Sequence, residues 1–442
     1  MSVAPGVSRR PYFPERGNEG YWVEHYELSL DYRVGAGRLR ASAVISAFAS
    51  RSPSLPAFTL DLSSSLRVSG VLVDGEPARY THRGDKLRIT PARPLHEGTL
   101  FAVDVRYGGD PRPLSSRWGG LGWDRLTDGV IVAGQPTGAP SWFPCNDDPA
   151  DKATYRVTVT TGSAYEVVAN GRLADRRRAA STTTWVYEQP QPMATYLASV
   201  QIGRYQSAEV PGPVPQRLVH PARLASRVRA DFARQPAMIA LFSDLFGPYP
   251  FAGYTVVVTA DDLEIPVEAQ GMSIFGANHV DGRRGEERLI AHELAHQWFG
   301  NSLTLEDWRD IWLHEGFAAY AEWLWSQASG EETADALAAR WHRRLAALPQ
   351  DFTLADPGAR RLFDDRVYKR GALTLHALRR AIGDEAFFAL LREWTATYQH
   401  GGVTTERFTR LAARHAATPL DDLFAEWLHT ERLPATPARR TV

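Results

Sequence analysis

A single cysteine, Cys145, stands in 442 residues, so no internal disulfide framework can form and no thiolate cluster exists to hold a metal. Surplus charge is equally scarce. Fifty Lys and Arg face fifty-one Asp and Glu, a formal net charge of −1 that gives neither nucleic acid nor an anionic membrane a reason to bind. No apolar run approaches the ~20 residues needed to span a bilayer. Met1 to Gly17 carries Arg9, Arg10, Glu15 and Arg16 but no apolar core, so no secretory signal is expected there. These absences predict a cytoplasmic protein. What remains is a globular composition, 44% hydrophobic and 23% charged, over a length that suits two or three domains with a large core.

From about Tyr21 to Gly203 the dominant hydrophobic period is two. Tyr26, Leu28, Leu30 and Tyr32 alternate with polar residues, as do Phe101, Val103, Val105 and Tyr107, and then Tyr155, Val157 and Val159. Alternation of this kind marks strands with one buried face. Gly35-Ala36-Gly37, Asp74-Gly75, Arg83-Gly84-Asp85 and Gly108-Gly109-Asp110 read as turns between them. Residues 1–203 are thus expected to form an antiparallel β-domain of two stacked sheets. Beyond Gly203 the spacing becomes helical. A helix is expected over Ala222–Leu245, a buried strand over Tyr254–Thr259, and from Glu286 a succession of helices that includes Gly371–Ile382, Glu385–Tyr398 and Asp421–Thr430. Pro434 to Val442 reads as a frayed tail.

Within the helical half, no proline or glycine interrupts Glu286 to Phe299. His292 and His296 are one turn apart on a common face and can share a metal ion, with Glu293 beside them to handle a proton on water. A zinc hydrolase usually takes three protein ligands. Eighteen residues beyond His296 lies Glu315, in Trp312-Leu313-His314-Glu315-Gly316, on what reads as the next antiparallel helix. One Zn2+ on His292, His296 and Glu315 would lower the pKa of water from ~15.7 toward ~7, with Glu293 as general base. Glu322 lies seven residues after Glu315 on the same helix face, placed to hydrogen-bond a liganding histidine. His314 points about 100° away from Glu315 and is excluded as a ligand.

His292-Glu293-Leu294-Ala295-His296-Gln297-Trp298-Phe299-Gly300-Asn301, followed by Trp312 to Gly316, resembles the gluzincin aminopeptidases related to aminopeptidase N and leukotriene A4 hydrolase. Trp142-Phe143-Pro144-Cys145, Gln191 to Leu197 and Glu426-Trp427-Leu428 extend the resemblance over most of the chain, as a short two-domain form. The resemblance implies an α+β architecture: the β-sandwich-like domain over 1–203, then a thermolysin-like, mainly helical catalytic domain over 204–442. It also implies further site residues. Val367-Tyr368-Lys369-Arg370-Gly371 resembles the family's Tyr-x-Lys-Gly segment, whose tyrosine donates to the oxyanion, with Arg370 in the lysine position. Pro266-Val267-Glu268-Ala269-Gln270-Gly271-Met272 resembles a degenerate Gly-x-Met-Glu-Asn segment, making Glu268 the partner of a substrate ammonium and Gly271 part of the same site. Gln135 stands where the family has glutamate or glutamine, and its amide oxygen can accept from the same ammonium.

The expectation is therefore a zinc aminopeptidase that acts on peptides with a free N-terminus. A thermolysin-type endopeptidase shares the zinc ligands but would have no use for an ammonium site at Gln135 and Glu268. A non-catalytic peptide-binding protein would have no use for Glu293 and Tyr368. The motif leaves open the epoxide hydrolysis known in one branch of the family, and it fixes no oligomeric state.

Overall fold

The structure is a computed structural model that describes residues 12–436. Met1 to Gly17, where no secretory signal is expected, therefore falls largely outside the described residues, and the expected frayed tail falls mostly outside them. Pro434 itself is not frayed: its carbonyl is 2.7 Å from His342 Nε2.

The alternating segments form strands as expected, and their apolar residues face inward. Tyr26, Leu28, Leu30 and Tyr32 of strand Tyr21–Arg33 are all buried, as are Phe101, Val103, Val105 and Tyr107 of Leu100–Gly109. An eight-stranded sheet runs in the order Arg172–Arg178, Thr182–Met193, Ala153–Gly162, Tyr21–Arg33, Arg38–Ala49, Leu100–Gly109, Leu66–Val73, Glu76–Pro77. It is not wholly antiparallel. Tyr21–Arg33 pairs in parallel with Ala153–Gly162, Tyr26 opposite Tyr155, and the two rings stack at 4.9 Å. Gly108 and Gly109 also depart from expectation: they are strand residues opposite Arg40 and Leu39, not a turn. A Cβ on Gly108 would meet the Leu39 carbonyl at 2.6 Å, so glycine is needed there for close strand approach. A five-stranded and a three-stranded sheet pack beside the large one, with Trp123, Trp142 and Phe143 in the shared core.

A second five-stranded sheet begins after Gly203, in the order Tyr205–Val210, Gln216–Pro221, Tyr254–Val258, Met272–Phe275, Val267–Ala269. Nine α-helices follow or interleave among the described residues: α1 Ala225–Asp231, α2 Gln235–Phe246, α3 Glu287–Ala295, α4 Trp312–Ala328, α5 Ala334–Ala346, α6 Asp365–Ile382, α7 Asp384–Thr397, α8 Thr405–Arg414 and α9 Asp421–His429. The single helix expected over 222–245 is broken between α1 and α2. Pro236 explains the break: it lacks an N–H and fits only the first turn of a new helix.

Helix α6 begins at Asp365, six residues before the expected start. Asp364 caps it by accepting from the Arg366 N–H, and Gly371 lies inside it. Gly371 packs against Gly316 of α4, where a Cβ on either would lie 2.6–2.7 Å from the other's Cα. The two glycines let α4 and α6 touch backbone to backbone, and this draws Tyr368 toward Glu315.

Arg370, next to Gly371, fixes the other side of α6. It is buried, and its guanidinium donates to the carbonyls of Trp427 at 3.1 Å, Glu431 at 2.7 Å and Thr430 at 2.6 Å, with longer contacts to Glu426 and Phe352. These are mostly orphan carbonyls at the C-terminus of α9, where a cation is favoured. Burial pulls its pKa down to about 10. Only a planar fork reaches so many acceptors at once. Arg370→Lys is therefore expected to cost about 1–3 kcal/mol of stability by leaving buried carbonyls unpaired. A denaturant midpoint equal to that of the native chain would show that the fork is dispensable.

Candidate metal centre

Helix α3 buries the face that carries its histidines, and the rings of His292 and His296 lie 4.8 Å apart. Their Nε2 atoms converge on one oxygen of Glu315, from the first turn of α4, at 3.5 and 3.4 Å. These three donor atoms all lie within 4.8 Å of one another, and all three residues are buried. Burying two imidazoles and a carboxylate around a point is costly unless a charge sits between them. The donor set, two nitrogens and one oxygen, matches what zinc takes in hydrolases.

The outer nitrogens are committed elsewhere. His292 Nδ1 is 2.8 Å from Glu322 Oε1, and His296 Nδ1 is 3.0 Å from the Phe299 carbonyl. An acceptor at Nδ1 holds the proton there and leaves the Nε2 lone pair toward the cluster. Glu322 thus stands where the helix-face reading put it. Burial pushes its carboxyl up, but Lys369, His292 and Arg288 together hold it down at about 2. His314 is not among the donors. Its Nε2 accepts the Leu305 N–H at 2.9 Å, and burial depresses its pKa to about 3.

Glu293 is 5% exposed, and its Oε2 is buried without a hydrogen-bond partner among the described residues. Glu268 comes to the same point from the edge strand Val267–Ala269: donor atoms of Glu268, Glu293 and His296 also lie within 4.8 Å of one another. Burial, with Glu315 and Glu293 adding to it and His296 opposing, pushes the Glu268 carboxyl up to about 7. Tyr368 lies across from them with its ring stacked on His292 at 6.0 Å. Burial and then the carboxylates of Glu315, Glu268 and Glu293 raise its hydroxyl well above the ordinary range, so it stays a donor.

Gln135 follows strand Gly129–Ala133, and its side-chain nitrogen is buried without a partner among the described residues. Gly134 beside it abuts the backbone of Tyr196, whose own hydroxyl is raised by burial and then by Glu268 and Glu315. Gly271 plays a different part from the one expected. Its φ of +73° makes the turn between Val267–Ala269 and Met272–Phe275, its N–H donates to Gln297 Oε1 and its carbonyl accepts from Thr255. With its N–H engaged by Gln297 and its carbonyl by Thr255, Gly271 shapes the hairpin that presents Glu268.

Sequence reasoning missed the residues that tie this hairpin to the metal helix. Gln297 Nε2 donates to the Ala269 carbonyl at 3.2 Å and the Met272 carbonyl at 3.3 Å, and Asn301 Nδ2 donates to Ala269 at 2.9 Å. Both directly follow the histidine motif, the one signal that could have singled them out. Behind them Lys152 donates to the carbonyls of Asn301 and Ser302.

The chain is similar in sequence and fold to known proteins. A family model described as Peptidase family M1 domain matches residues 232–427, and one described as Peptidase M1 N-terminal domain matches residues 128–197. Among solved structures, an M1 zinc metallopeptidase mutant from Deinococcus radiodurans superposes with a TM-score of 0.88 at 31% identity, covering 98% of this chain and 100% of that one. The same protein bound to a Tyr-Ser-Ala substrate gives a TM-score of 0.90 at 30% identity with the same coverage. Among curated proteins, Aminopeptidase M1-B of Oryza sativa subsp. japonica is 26% identical over 67% of this chain and 36% of its own length. Probable aminopeptidase 2 of Sulfurisphaera tokodaii is also 26% identical, over 67% of this chain and 40% of its own. The chain thus spans about two fifths of the length of these relatives.

Proposed function

The chain belongs to peptidase family M1, and from that membership we propose that it is a zinc aminopeptidase releasing single residues from peptides with a free N-terminus. The observation that carries the reading is the meeting of Glu268 with Glu293 and His296 beside the metal donors. An α-ammonium with a pKa near ~7.7–8.0 is largely charged at neutral pH and needs a carboxylate partner. An endopeptidase, which binds chain on both sides of the cut, gains nothing from a carboxylate there.

In this reading His292, His296 and Glu315 hold the ion. Zinc supplies a Lewis acid that polarises the scissile carbonyl and acidifies the attacking water. Glu293 takes the water's proton on its free oxygen and passes it to the leaving amine. The Tyr368 hydroxyl donates to the developing oxyanion. Glu268 receives the ammonium, and the Gln135 amide adds a neutral hydrogen bond. The division into residues 1–203 and 204–442 belongs to the same proposal, supported by the end of strand Val200–Gly203 and the new sheet from Tyr205. So does a cytoplasmic location. No helix among the described residues is long and apolar enough to cross a membrane.

The test compares aminoacyl reporters with their N-acetylated counterparts. The native chain is expected to cleave the first and refuse the second. Glu268 is only half-buried, so Glu268→Ala should cost about 1–3 kcal/mol in kcat/KM, less than the ~3–5 of a fully buried charge pair. Gln135→Ala should cost about 0.5–1.5 kcal/mol, an ordinary hydrogen bond. Cleavage of acetylated peptides at comparable kcat/KM, or a Glu268→Ala chain with full activity, would overturn the ammonium site.

A further inference from the structure

We propose that Lys369 is a positioning residue for the metal: it seats the Glu322 carboxylate against His292 and so fixes the imidazole that holds the ion. The inference rests on the zinc reading of the site and is independent of which substrate is cleaved.

Consecutive residues of α6 reach two sides of one ring. Tyr368 stacks on the face of His292, and Lys369 reaches its Nδ1 edge through Glu322. The Lys369 ammonium straddles the carboxylate, 3.4 Å from Oε1 and 3.3 Å from Oε2. Oε1 is therefore shared between Lys369 and His292, while Oε2 is shared between Lys369 and Arg288, the latter at 3.1 Å. The two cations are not equivalent. The Arg288 side chain is 56% exposed, whereas that of Lys369 is 7% exposed and its Nζ sits 5.2 Å from the centre of the Trp341 ring. Lys369 is the buried support and Arg288 the exposed one.

The carboxylate, itself only 3% exposed, needs a fixed support because a cavity borders it. A cavity of about 500 Å³, with Arg288, Trp323, Trp341 and Lys369 among its walls, reaches Glu322 from the side away from the metal donors. Without Lys369, water entering from that side competes for the carboxylate and lets it turn from His292. A liganding histidine whose outer partner is loosened holds its metal less well.

A charge-only role predicts the opposite sign. Removing a cation near a site for a dication should strengthen binding through Coulomb's law. The measurement is the zinc dissociation constant of the full chain, by competition with a chromophoric chelator. Disturbing outer partners typically costs 10–100-fold in metal affinity, so Lys369→Met, one link further out, should weaken zinc about 10-fold. Lys369→Arg keeps a buried charged donor and should stay within about threefold of the native value. In a Glu322→Gln background, Lys369→Met should add nothing, because its route is gone. Should the methionine unfold α6, Lys369→Gln replaces it and should still lose at least about threefold. The proposal is overturned if the neutral variants bind zinc as tightly as the native chain or more tightly. It is equally overturned if the loss is as large with Glu322→Gln as without it. Acetylated-peptide results leave this measurement untouched, so the two readings fail separately.

Discussion

Glu293→Gln is expected to keep its zinc and to lose about 10²–10⁴ of its turnover, the usual share of a positioned proton acceptor. The side chains are nearly isosteric, and Glu293 is not among the donors that converge on Glu315, so the substitution should leave the metal cluster intact. What changes is one atom. Glu293 Oε2 is buried and free of partners among the described residues, and an amide there cannot take a proton from water. Burial favours the protonated form of this carboxyl, with His292 and His296 opposing, so its basicity lies above that of an exposed glutamate. Metal analysis beside single-turnover kinetics on a free-amine reporter decides the matter. A metal-free variant would make Glu293 structural, and unchanged turnover would require a different base.

The parts of the candidate site legible in the sequence are those whose geometry is local. His292 and His296 share a face because a helix turns about 100° per residue, and Glu322 follows Glu315 by two turns for the same reason. The strands were legible because each keeps one buried face, so Tyr26 to Tyr32 carries its own period. Gly371 shows where local reading stops. Glycine inside a helix costs about 1 kcal/mol relative to alanine and reads as a boundary, unless something far away needs the missing Cβ. Here that is Gly316, fifty-five positions earlier, and no periodicity announces it. The roles of Gln297, Asn301 and Lys369 were illegible for the same reason: each polar side chain finds its partner across the fold. The parallel pairing of Tyr21–Arg33 with Ala153–Gly162 is likewise invisible, since alternation fixes the buried face of a strand and not its neighbour. Arg370, in the family's lysine position, anchors its helix through α9, another partner that no local pattern announces.

Tyr368→Phe should separate the hydroxyl from everything else that residue does. The phenyl ring can keep the stack on His292, and Arg370 and the Gly316–Gly371 contact hold α6 in place whether or not the oxygen is present. Metal content and stability should therefore match the native chain. The hydroxyl is a donor in reserve: burial and the neighbouring carboxylates keep it protonated far above neutral pH. A carbonyl in the ground state carries little charge, whereas the oxyanion carries a full one, so the bond to Tyr368 strengthens as the reaction proceeds. Its loss should fall on kcat and leave KM nearly unchanged. Removing one such donor typically costs about 2.7–4 kcal/mol, or roughly 10²–10³ in rate. Steady-state kinetics on the same free-amine reporter, at matched zinc content, read this directly. Near-normal turnover would remove Tyr368 from the chemistry, and a rise in KM at constant kcat would make it a residue that only binds substrate.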